Sequence, residues 1–116
     1  MKCETLDVWK RSCRLSVEVY KSFQEVKDYG FKDQITRSSL SIASNIAEGM
    51  EKESDKEKVR FIEIAKGSSA ELITQIYIGI EINYIDKTRG LNWIKQVNEI
   101  QGMLTGLKTN IRSKIE

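Results

Sequence analysis

The chain has 116 residues, 40% hydrophobic and 31% charged, which fits one soluble globular domain over residues 1–116. Its net charge of +2 is too small to imply nucleic acid by itself, and the absence of histidine removes the commonest general base and every Ser-His or Cys-His pair. No apolar run reaches the length of a membrane span, and charges fill the start where a signal peptide needs an apolar stretch, so a cytoplasmic protein is expected.

Cys3 and Cys13 stand ten residues apart. On one helix they would lie three turns apart, too far to bridge, and two cysteines without histidine make no zinc site. No metal, cofactor or small-molecule substrate is expected. The sequence has no proline, so breaks must come from glycine and polar clusters. Three are present: Tyr29-Gly30, Gly49 to Asp55, and Asn83 to Gly90. The four segments between them all have helical spacing.

The first segment runs from about Thr5 to Lys27 and carries two apolar stripes. One is Leu6, Trp9, Cys13, Val17 and Tyr20; the other is Val8, Leu15, Val19 and Val26. A helix with two stripes touches more than one neighbour. Lys10, Arg14 and Lys21 share its polar face with Asp7, Glu18 and Glu25.

The second segment runs from about Lys32 to Met50, with Ile35, Ser39, Ile42, Ile46 and Met50 toward the core. Gly49 is a candidate terminator. Beside the isoleucines runs a polar row of Gln34, Arg37, Ser41, Asn45 and Glu48 at helical spacing. It reads either as a solvated or interhelical hydrogen-bonding face, with Ser68, Glu71 and Gln75 opposite, or as a ligand or oligomer contact.

Ser54 is a candidate N-cap for the third segment, about Asp55 to Asn83, with Glu57 placed for a capping box. Phe61, Ala65, Ser68, Leu72, Ile76 and Gly79 line one face of it. Further isoleucines on both flanks leave little polar surface, so bundle partners or another subunit should cover this helix. The fourth segment, about Thr88 to Ile115, has a heptad seam of Trp93, Val97, Ile100, Leu104, Leu107 and Ile111. Lys108, Arg112 and Lys114 cluster near its end; residues 88–116 carry 5 basic and 2 acidic side chains. Four helices with short links predict an all-α, antiparallel up-down-up-down four-helix bundle. Its core would be modest for its length, so self-association would add burial.

The pattern Gln34-x-x-Arg37-Ser38-x-x-Ser41-Ile42-x-x-Asn45-Ile46-Ala47-Glu48-Gly49 resembles the signature of the four-helix bundle proteins encoded in intervening sequences of bacterial large-subunit ribosomal RNA genes. The likeness continues through Phe61-Ile62-x-Ile64-Ala65-x-Gly67-Ser68-x-x-Glu71 and spans nearly the whole chain. Ala43 stands where such proteins commonly have proline, and the link before Gln34 lacks their usual Phe-Pro. The resemblance implies a homopentameric ring without established enzyme activity. Related bundles are accessory proteins of diversity-generating retroelements, where a basic surface engages nucleic acid, so RNA or DNA is the expected partner.

Lys10, Arg14, Lys21, Lys108, Arg112 and Lys114 are then the candidate nucleic-acid contacts. The core stripes claim Trp9, Tyr20, Phe61 and Trp93, which leaves phosphate contacts rather than base stacking to dominate. The alternative is a scaffold whose exposed apolar face is Val8, Leu15, Val19 and Val26. Glu48 and Glu71 could pair for metal or acid–base work, but no ExxH motif supports a di-iron bundle. A non-enzymatic role is expected.

Overall fold

Asp28, Ser54 and Asp86 each turn a side-chain oxygen onto a backbone N–H three residues further on, and each begins a helix. In the computed structural model, which describes residues 1–115, a short 3-10 turn at Lys2–Thr5 is followed by four helices. They are α1 (Asp7–Ser22), α2 (Tyr29–Met50), α3 (Asp55–Glu81) and α4 (Lys87–Arg112). The capping signal at Ser54 is half realised: its hydroxyl accepts from the Glu57 N–H, while the Glu57 carboxylate turns to Arg60 at 3.5 Å.

Chain neighbours are spatial neighbours. α1 packs on α2, α2 on α3 and α3 on α4, and α1 closes the bundle against α4. Side-chain pairs fix the directions. Ser16 meets Ser39 while Lys32 reaches back to the Gln24 carbonyl, and Ser69 meets Gln101 while Glu63 meets Lys108. Sequence numbers rise on one helix as they fall on its neighbour, so the pairs are antiparallel. The result is an up-down-up-down four-helix bundle, 49 × 21 × 21 Å.

The centre is Leu15, Val19, Ile35, Ile42, Ile46, Ile62, Leu72, Ile76, Trp93, Val97, Ile100 and Leu104, all essentially sealed from solvent. Each fully buried aliphatic side chain of this kind contributes about 1.5–3 kcal/mol. Among the described residues, no helix is long and apolar enough to cross a membrane.

Three expectations need correction. α1 stops at Ser22 rather than Lys27, and Tyr29-Gly30 begins α2 instead of breaking the chain. Phe23 leaves the helix to bury itself, with its ring 6.0 Å from Phe31, and Asp28 then caps α2. A glycine costs little in a first turn, where the N–H groups lack helical partners anyway.

Gly49 lies within the last turn of α2 and does not terminate it. A Cβ there would sit 2.7 Å from the Phe61 Cβ, so the glycine lets α2 and α3 approach. Finally, the two stripes of α1 exchange roles. Val8, Leu15 and Val19 are core, which removes them as an exposed docking face, whereas Val17 and Tyr20 point outward.

A left-handed residue closes the α3–α4 link. Asn83 has φ 64°, and the N–H groups of Tyr84 and Ile85 both return to the Gly79 carbonyl, at 2.9 and 3.1 Å. Asparagine tolerates that conformation better than most residues. The turn drops Ile85 into the core.

Candidate nucleic-acid interface

Lys10, Arg14 and Lys21 are four and seven residues apart on α1, so they share one helix face. All three are exposed, and none is in an ion pair among the described residues. Asp7 shares the face of this row, while Glu18 accepts a hydrogen bond from the Trp93 indole N–H of α4 at 3.2 Å. That bond gives the carboxylate a partner of its own, and Glu18 borders one recess with Lys21. Arg89, which donates to the Ser22 hydroxyl at 3.3 Å, adds a cation at the Lys21 end. Arg89 was not among the sequence candidates, because only the antiparallel α1–α4 register brings it there.

The second cationic set does not form one patch. Lys108 is half-buried and its ammonium lies 2.6 Å from Glu63. This hydrogen bond holds the Glu63 carboxyl below its ordinary pKa. Arg112, the last residue of α4, is exposed. Lys114 lies beside Ser54 to Lys56, at the start of α3. A lysine neutralised within its own chain has little left for a phosphate.

The polar row of α2 divides in two. At its centre the Ser41 and Ser68 hydroxyls are 2.8 Å apart, which ties α2 to α3. The Asn45 amide donates to the Ser41 carbonyl at 2.8 Å and to its hydroxyl at 2.9 Å. Arg37 instead pairs along its own helix with Asp33, at 2.9 Å, in the open. Gln34 and Glu71 flank a shallow recess of about 300 Å³ with Arg37 and Ser41. Glu48 is exposed and its side chain makes no hydrogen bond or ion pair among the described residues, so no contact supports a structural role for it. Glu48 lies seven residues beyond Ser41, and Glu71 three beyond Ser68 in the opposite direction. At 1.5 Å per residue the two acids stand about 15 Å apart, too far to share a proton or an ion.

Tyr20 is the residue whose placement matters most for this surface. The sequence puts it in a core stripe; the structure leaves it 43% exposed beside Lys21. Together with Val17 (51%) and Leu40 (47%) it borders an apolar groove of about 400 Å³ between α1 and α2, floored by Cys13 and Ala43. Burial pushes the Cys13 thiol pKa up, so it is uncharged at neutral pH. Which of two α1 stripes faces inward cannot be read from spacing, and that ambiguity hid both Tyr20 and the groove.

With this geometry in place, known proteins can be compared. Residues 4–106 match the family described as 23S rRNA-intervening sequence protein. The chain belongs to that family. A solved structure of a protein of unknown function from the S23 ribosomal protein family of Bacteroides thetaiotaomicron superposes with a TM-score of 0.81 at 25% identity. The match covers 87% of this chain and 97% of that one. No curated protein matches. Every residue of the quoted signature falls inside the matched range, including the Ser41–Asn45–Ser68 cluster that joins α2 to α3.

Proposed function

We infer that this family member is a non-enzymatic, self-assembling bundle that holds nucleic acid by its phosphates. The observation that carries the reading is the row of Lys10, Arg14 and Lys21, exposed and unpaired among the described residues on one face of α1. A linear row of cations free of ion pairs among the described residues suits a linear polyanion. Membership of a family described by its place in ribosomal RNA intervening sequences makes RNA the natural partner.

Support for self-assembly comes from α3. Ile64, Ile78 and Ile82 are all exposed on its α2-side flank, the flank that carries Ser68. Gly67 lies between them in sequence with open space around its Cα. A mid-helix glycine costs roughly 0.5–1 kcal/mol relative to alanine, and no packing within the subunit requires this one. A second helix approaching closely at Gly67 would use it and cover the isoleucines. Repetition of the cation row around a ring, a pentamer by family resemblance, would multiply weak phosphate contacts.

The same isoleucine strip supports a second reading, a scaffold that binds a protein partner there. Fluorescence titration of labelled RNA at about 50 mM salt, where phosphate contacts are strong, separates the two. Binding that weakens steeply as salt rises supports the phosphate reading. No detectable binding with the assembly intact leaves the scaffold.

A further inference from the structure

We propose that the α1–α2 groove takes unstacked bases of a single strand whose phosphates lie along Lys10, Arg14 and Lys21. This rests on the phosphate-binding reading and names the form of nucleic acid bound. Two properties meet at one place. The floor is apolar and open, with Val17, Tyr20 and Leu40 all exposed. Lys21 stands on its α1 rim, and Lys10 and Arg14 continue the row along the adjoining outward face of α1, all three unpaired among the described residues. Their separations along the helix, about 6 and 10 Å, suit a chain of regularly spaced phosphates.

A duplex can use only the rim, because its bases are stacked inside. A single strand can use rim and floor together, with an aromatic ring to stack on. The seam continues past Thr36 to a recess beside Tyr29, 70% exposed, whose ring has the Lys32 ammonium 5.8 Å from its centroid. Thr36 is seven residues from Tyr29 and Ala43 seven from Thr36, so all three lie on the groove side of α2. The acid in that recess, Asp33, is paired with Arg37. A strand running along α1 would thus meet Tyr20 and then Tyr29, with cations beside each.

The test compares an oligouridine with an RNA duplex of equal length at low salt, using wild type, Tyr20→Ala and Tyr77→Ala. Tyr77 is an exposed tyrosine on α3, away from the groove. Single strand should bind more tightly than duplex. Tyr20→Ala should weaken oligouridine binding about tenfold, within the range for one stacked base, and leave its salt dependence in place. Tyr77→Ala should bind as wild type does.

Unchanged oligouridine affinity in a folded Tyr20→Ala, with salt-dependent binding intact, overturns the groove assignment and leaves phosphate binding standing. Absence of binding by the wild type to either ligand removes both. Dissociation of the assembly by Tyr20→Ala, seen in sedimentation, makes the groove a subunit contact and also overturns the proposal.

Discussion

At the scale of single residues, Ser41 joins two helices through one hydroxyl. It bridges to Ser68 and receives the Asn45 amide. Ser41→Ala strands the Ser68 hydroxyl at the α2–α3 seam, while Asn45 keeps its bond to the residue-41 carbonyl, and should lower stability by about 1–3 kcal/mol in denaturant unfolding. Glu48→Ala should change it by less than about 0.5 kcal/mol, since the side chain is exposed and touches no partner among the described residues.

Glycines divide by what surrounds them. Gly49→Ala brings a Cβ to 2.7 Å from the Phe61 Cβ, an atom that cannot move without its backbone. Overpacking of about 1–3 kcal/mol should outweigh a helix-propensity gain of up to about 1 kcal/mol. Thermal unfolding checks the sign. From sequence, Gly49 reads as a helix end, since spacing cannot distinguish a terminator from a close approach two residues from a link.

At the scale of elements, the pattern of apolar residues carried most of the fold. The heptad seam of α4 is buried at Trp93, Val97, Ile100, Leu104 and Ile111, as its spacing predicts. Ser54 caps α3 where expected. The failures fall on α1, which has two comparable stripes, and on its end, where Asp28 and Phe23 decide the turn without proline or a terminal glycine. The polar row of α2 was legible as a row; only the packing showed that Ser41 meets a partner helix and holds Asn45 while Arg37 and Glu48 face solvent.

Ion pairs join elements as well. Glu63–Lys108 ties α3 to α4 and Glu99–Arg11 ties α4 to α1, and each hydrogen bond holds its carboxyl below the ordinary pKa. A carboxyl depressed in the folded state adds stability above its unfolded pKa and loses it as pH falls through the folded value. Stability should therefore decline below the ordinary glutamate range. Glu63→Gln should flatten that decline in unfolding curves recorded from neutral to acid pH.

At the scale of the whole molecule, the α1–α2 groove and the strip of Ile64, Ile78 and Ile82 are apolar surfaces without a cover among the described residues. The second, with Gly67 beside it, is the surface proposed to bind another copy. Sedimentation equilibrium at micromolar concentration should give a multiple of 13.4 kDa, and Gly67→Leu should lower it. A 13.4 kDa monomer for the wild type would rule assembly out. The cation row bears more directly on function. The decisive measurement is the salt dependence of RNA affinity for wild type and for the triple variant Lys10→Gln, Arg14→Gln, Lys21→Gln. The account predicts that log affinity falls linearly with log salt, and that the variant binds more weakly with a shallower slope while its assembly is unchanged. A variant with wild-type affinity and slope would contradict it.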